Sequence, residues 1–120
     1  MGFHEMRAKL VLATLLLAAP AAVLAHHGWG SFDASKRISV EGPIQSSDYA
    51  NPHVTVTLRA PDQVWTVILA PVSRMQTRGA TKELVGVGKV LKADGHPSKS
   101  HKSEMRADRI TVDGKIFEMR

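Results

Sequence analysis

The sequence predicts a mainly β chain: a small OB-like barrel of five to six strands with one short helix between strands three and four, following an N-terminal signal helix that is cleaved. Three observations carry this expectation. Apolar and polar residues alternate over several short runs, most cleanly from His53 to Arg59. Turn residues divide these runs at close spacing, and Asp113-Gly114 is the strongest hairpin signal among them. A single stretch between Pro71 and Gly79 breaks the alternation and is bounded by a residue that starts helices and one that ends them.

The leader comes first. Arg7 and Lys9 form a short basic region, Leu10 to Leu17 is apolar and uncharged, and Val23-Leu24-Ala25 supplies small or tolerated residues for a signal-peptidase site. A membrane-spanning helix needs about 20 apolar residues, and Pro20 interrupts this run. Residues 1–25 are therefore read as a signal peptide, and residues 26–120 as a single β-barrel-like domain of the periplasm or the exterior, beginning His26-His27-Gly28. Cleavage one residue earlier would leave Ala25-His26-His27 at the terminus.

Within that domain, Trp29 and Phe32 lie in a glycine-containing arm that can dock on a core. Ile38, Val40 and Ile44 share one parity around Gly42-Pro43, which predicts a strand with a bulge or bend there. Val54, Val56 and Leu58 should face inward, leaving His53, Thr55, Thr57 and Arg59 on the outward side. Ala60 to Gln63 makes a turn before Val64 to Leu69, an almost wholly apolar strand expected to be covered on both sides, with Trp65 in the core. Helix follows over Val72 to Arg78, then a strand around Lys89 to Ala93. Asp94 to Lys102 is rich in turn residues and reads as a polar loop. Arg106 to Val112 and Ile116 to Met119 form the last hairpin. A sandwich of the same strands is the alternative, since periodicity does not fix closure.

Composition narrows the chemistry. The chain has no cysteine, so neither a disulfide nor a thiol nucleophile is available, and a domain of this size must depend on close packing. Loss of Arg7, Lys9 and Glu5 with the leader lowers the formal net charge from +5 to +4. For an exported protein this modest excess suits anionic envelope surfaces better than nucleic acid, which would also call for more exposed aromatic stacking platforms. Lys92, Lys99, Lys102, Arg106 and Arg109 gather around the polar loop and read as a solvated face. There is no phosphate-cradling glycine loop, no helical pair of zinc-ligand histidines and no nucleophile-elbow serine.

The histidines are the main functional clue. Once exposed, His26 offers an α-amine and an imidazole to one metal, and a second imidazole would complete a three-nitrogen brace suited to Cu(II). His53, fixed after Asn51-Pro52 at a strand entry, is the first choice for that third ligand, with His27 as the alternate. His96, Lys99, His101 and Lys102 form a second candidate set, a ligand-binding loop. A lone histidine of this kind is more often a surface group making one hydrogen bond, and a terminal His-His pair is often merely solvated.

Ala25-His26-His27, Gly28-Trp29, Phe32-Asp33, Val40-Glu41-Gly42 and Asn51-Pro52-His53 are joined by Arg78-Gly79, Val87-Gly88, Gly95-His96-Pro97-Ser98-Lys99 and Val112-Asp113-Gly114. Together these resemble a family of short exported bacterial proteins catalogued as a domain of unknown function. The resemblance spans nearly all of residues 26–120. It implies an exported β-barrel-like domain without an established activity and assigns no site.

Three functional expectations follow. The first is a copper-binding or metal-handling module using His26, His53 and His27. The second is a metal-free binding or structural module of the envelope for an anionic ligand or a protein partner. The third is a small metal-dependent oxidase, since open metal positions permit catalysis without requiring it. All three start from the processed terminus. The intact mass of protein recovered from the periplasm of an expressing bacterium should match a chain starting at His26; a mass that retains the leader would remove the terminal chelate.

Overall fold

The structure, a computed structural model, describes residues 28–120. The leader, the cleavage site, His26 and His27 lie outside the described residues. Trp29–Ser31 is a single 3-10 turn and closes the first of two compact units; Phe32–Arg120 is the second, described by itself below.

Six strands and one helix follow in the second unit: β1 (Ile38–Asp48), β2 (Thr55–Arg59), β3 (Val64–Ile68), α1 (Val72–Thr77), β4 (Val90–Pro97), β5 (Glu104–Val112) and β6 (Lys115–Glu118). Hydrogen-bonded neighbours run β3-β2-β1-β4-β5-β6, all antiparallel, and β3 returns to pair with β5 in parallel. Five strands thus close into a barrel and β6 is added outside the closure. With the helix between β3 and β4, this is the OB-like arrangement expected from the sequence.

The alternation does the work anticipated for it. Val54, Val56 and Leu58 are fully buried in the core, joined by Val40 and Ile44 of β1, Leu91 and Ala93 of β4, and Ile110 and Val112 of β5. Met75 of α1, with Ala80 and Val85 after it, belongs to the same core, so the helix packs its one buried residue against the barrel interior. Pro71 stands at the helix N-cap, and the Val72 amide donates to Asn51 Oδ1 at 3.1 Å, a cap supplied by the β1–β2 loop. Gly79, at φ +85°, ends it. Asp113 and Gly114 both take positive φ in the β5–β6 turn, as a two-residue hairpin that matches strand twist requires.

Four expectations need correction. The bulge in β1 lies at Gln45, where the pairing with β2 skips from Ile44 to Ser46; Gly42 and Pro43 stay in register with β4. In β3 only the second half is covered on both faces: Val67 and Ile68 are buried, Val64 is exposed and Trp65 is partly buried against the core. Residues 94–97 are strand rather than loop, so His96 sits in β4 and is buried. Arg106, read as part of a solvated face, is 5% exposed.

Gly95 explains why turn-like residues can extend a strand here. It pairs with Ala107 beside a second bulge that leaves Asp108 unpaired with β4, and a Cβ at this position would collide with the Arg106 carbonyl and crowd the Ala107 Cα. Glycine lets the two backbones approach. Gly95→Ala should destabilise the domain by about 1–3 kcal/mol, read as a lower urea midpoint. Gly30→Ala, where the added methyl meets nothing within 4 Å, should leave it unchanged. An unaltered midpoint for Gly95→Ala would contradict this packing.

Candidate functional site

Barrel closure creates a row of side chains on the outside of the sheet. Thr55 pairs with Ile68, Ile68 with Arg106, and Arg106 with His96, so one row crosses β2, β3, β5 and β4. Residues paired in register point to the same face, and here that face is opposite the core residues Val67, Met105 and Ala107. Ile68 (6% exposed) and Arg106 are nevertheless buried.

His53 lies two residues before Thr55, on the outer parity. Its Nε2 is 3.3 Å from Arg106 Nη2. A guanidinium only donates, so Nε2 must accept, and the proton of the neutral ring resides on Nδ1. The loop carrying His53 is tied down twice. Besides the Asn51 cap on α1, Tyr49 Oη donates to the Ala80 carbonyl at 2.7 Å. Two bonds to the segment around α1 thereby fix where β2 begins.

Arg106 is electrostatically crowded. Burial is the largest influence and lowers its pKa from the usual arginine value; the nearby charges of Arg120 and Arg74 push in the same direction. The side chains of α1 and its C-cap reach the chain end: Arg74 Nη1 donates to the Met119 carbonyl at 3.3 Å, and Arg78 Nη2 to that of Arg120 at 2.7 Å. A surface cleft runs beside them, lined by Pro71, Ser73, Arg74, Thr77 and Arg78.

The sequence-predicted residues separate in space into three settings. His53 joins Arg106, a partner that sequence reasoning had placed among solvated charges. His96 pairs across the strands with Arg106 but points its ring nitrogens at the Lys36 carbonyl and at Asp108. Lys99, His101 and Lys102 are exposed on the β4–β5 loop, where the Ser98 hydroxyl accepts from the His101 amide at 3.0 Å. Lys99 also reaches Asp33 electrostatically: the Ser35 hydroxyl and amide hold the Asp33 carboxyl below its ordinary value, and Lys36 and Lys99 add to that effect. The predicted loop set is therefore two separate sites. Among the described residues no group of three or more histidines and carboxylates converges as a metal site. Arg106 was missed because an arginine amid other basic residues reads as surface, and its place between the inward-facing Met105 and Ala107 puts it on the outer face, where only the β3–β5 closure covers it.

A cation taking the His53 Nε2 lone pair would have to displace a guanidinium and then sit beside its charge. The Nδ1 side carries a hydrogen in this tautomer.

The fold and this site define an OB-like barrel with a cationic centre on its outer face. A profile of the family of unknown function DUF6152 matches residues 13–119, and the chain belongs to that family. No curated protein matches it. Among solved structures, it is similar to a chain in the crystal structure of the S. pombe Stn1-ten1 complex, with a TM-score of 0.51 at 15% identity over 63% of this chain and 57% of that one. It is also similar to the crystal structure of the ZRD-deleted mutant of TiaS in complex with agmatine, with a TM-score of 0.53 at 15% identity over 72% of this chain and 27% of that one. At this identity the likeness is one of fold, and the chain spans less than two thirds of either protein. Among the described residues no helix is long and apolar enough to cross a membrane.

Tyr49 is the one tyrosine in the sequence, which makes its anchoring role measurable. Burial, with the Glu83 charge adding to it, pushes its phenol above the usual value of 10.0. The folded-state pKa then exceeds the unfolded one, so the stabilisation is complete below about pH 10 and is lost as pH rises through the folded value. Tyrosinate absorbance should rise at higher pH in the folded protein than in urea, and Tyr49→Phe should cost about 1 kcal/mol. Coincident folded and unfolded titrations would refute the anchor.

Proposed function

We propose that the chain is an exported binding module of the bacterial envelope that holds a phosphate-bearing anion at the barrel end where Arg74, Arg106 and Arg120 crowd together. The observation that supports the reading is the placement of Arg106: its guanidinium is largely buried, and the charges of Arg120 and Arg74 add like-charge repulsion to the larger effect of burial. An anion relieves that repulsion, and charge-assisted bonds to guanidinium groups are strong because the fork geometry matches phosphate oxygens. The neutral ring of His53 supports Arg106 without adding charge to it. A surface cleft lies along Arg74 and Arg78, beside one of the three arginines. Export rests on the leader pattern of residues 1–25.

Copper handling through the amine and imidazole of His26 with His53, and His27 as alternate ligand, is a separate proposal that rests on the processed terminus. Cu(II) therefore serves as a contrasting probe.

The protein recovered from the periplasm should be titrated with inorganic phosphate and, separately, with phosphatidylglycerol vesicles; free phosphate and lipid headgroup share the chemistry and the two arms distinguish their source. Arg106→Met should weaken binding at least about tenfold, the scale of one charged hydrogen bond, with Arg74→Met weakening it less. Replacing Lys99 and Lys102 together should change it little, and binding should decline with added salt. Arg106→Met binding as tightly as the parent would overturn the proposal. Loss only in the Lys99 and Lys102 variant would move the site to the β4–β5 loop.

A further inference from the structure

The end of the barrel that carries the β2–β3 turn differs chemically from the arginine site. Trp65 pairs in register with the buried Leu58, and paired residues share a face, so its indole lies on the inward side of β3. Ile38, on the parity of the buried Val40, enters the same end from β1. Both are partly buried against the core. β1 passes close to the end of β2 here, since a Cβ at Gly42 would collide with the Arg59 carbonyl. Between the start of β1 and the turn after Arg59 lies a cleft of about 310 Å³, with Ile38, Ala60, Pro61 and Trp65 in its apolar wall and Glu41 and Asp62 as its charged groups.

The sign of that charge runs against the rest of the molecule. The chain carries a formal net charge of +5, and three other clefts are lined by basic side chains: one by Lys89 and Lys92, one by Arg37, Arg109 and Arg120, and one by Arg74 and Arg78. No basic residue lines this one. Lys92 stands opposite Glu41 across the β1–β4 pairing, yet among the described residues neither Glu41 nor Asp62 forms an ion pair. The apolar wall narrows the class of cation. A calcium ion takes about six to eight oxygen ligands, which aliphatic and indole side chains do not supply. A cation with an aliphatic stem uses both parts of the cleft: the stem leaves water against the wall, and indole is the aromatic ring that attracts positive charge best. The volume is near the lower bound of ordinary ligand pockets, about 300 Å³, which suits a small molecule rather than a polymer.

We infer that this cleft is a binding site for a small alkylammonium ion, with its charge beside Glu41 and Asp62 and its aliphatic stem against Ile38, Ala60, Pro61 and Trp65. Lys92 competes for Glu41 and sets an upper limit on the affinity. The site is independent of the arginine site, whose ligand has the opposite charge, and it shares no residue with the proposed copper ligands.

The tryptophans of the chain are Trp29 and Trp65, so Trp29→Phe leaves the indole of the cleft as the sole emitter. The full chain with this substitution should be titrated with butylammonium, butanol and butyrate, which share a stem and differ in charge. Butylammonium should change the Trp65 emission saturably and bind at least about tenfold more tightly than butanol, the scale of a cation–π contact and exposed carboxylate contacts together. Butyrate should give no saturable change. Glu41→Gln combined with Asp62→Asn should bring butylammonium down to the level of butanol while the urea midpoint stays the same, because both side chains are exposed. Lys92→Met, which removes the competing cation, should tighten butylammonium binding about twofold, and Arg106→Met should leave it unaltered, which separates this site from the phosphate site. Equal binding of butylammonium and butanol, undiminished binding in the double variant, or emission that does not saturate with butylammonium would each overturn the inference.

Discussion

Three parallel pairings between β3 and β5, from Thr66 with Glu104 to Ile68 with Arg106, close the sheet, and the outer face takes its character from that closure. Without it, Arg106 would lie at the edge of an open sheet and its charge would be hydrated. Closure instead sets Arg106 between Ile68 and His96 and brings it within reach of His53, which is 53 residues away in sequence. The same pairing commits β5 to two neighbours on one side, β3 along its first part and β6 along its last. The chain end then approaches α1, where Arg74 and Arg78 bind its carbonyls.

The barrel interior needs little chemistry beyond apolar packing, and in a domain without disulfides that packing must hold the strands in register. Polar specificity has moved outward, to the places where loops and the N-terminal segment meet the sheet. Tyr49 and Asn51 bind the region of α1 and set the entrance to β2. Asp33, Lys36 and Arg37 bind β4 and β5. Both groups involve a histidine on the outer row, and the two histidines differ in the kind of partner that meets the ring nitrogen. His53 turns a lone pair on Nε2 toward a donor-only guanidinium, whereas His96 turns Nδ1 toward the Lys36 carbonyl, an acceptor. The contrast arises entirely from what surrounds two chemically identical side chains.

Much of the fold was legible because local patterns and global packing agree. Alternation from Val54 to Leu58, the Pro71 and Gly79 helix boundaries and the Asp113-Gly114 hairpin each express one rule without interference. Legibility ended at the bulges. Gln45 and Asp108 insert residues that reverse the inside-outside parity, and nothing in a single sequence marks them. Asp94, Gly95 and Pro97 have turn chemistry, yet Gly95 is needed inside a strand for close backbone approach, so the predicted loop hid a buried histidine. At the candidate site His53 was identifiable from its rigid Asn-Pro setting, but its partner was not, because the contact depends on a long-range strand pairing. The terminal histidines His26 and His27 belong to a part of the chain outside the described residues.

The addition of β6 beyond the barrel has a consequence for how copies of this chain behave at high concentration. A sheet that closes on itself offers no long row of unsatisfied amides and carbonyls to a neighbouring molecule, and among the described residues β6 is the strand with a sheet partner on one side only. That strand has four residues, with a lysine and a glutamate at its ends. Short length and charge are both obstacles to edge-to-edge growth, which gives a cysteine-free protein a measure of protection against fibre formation.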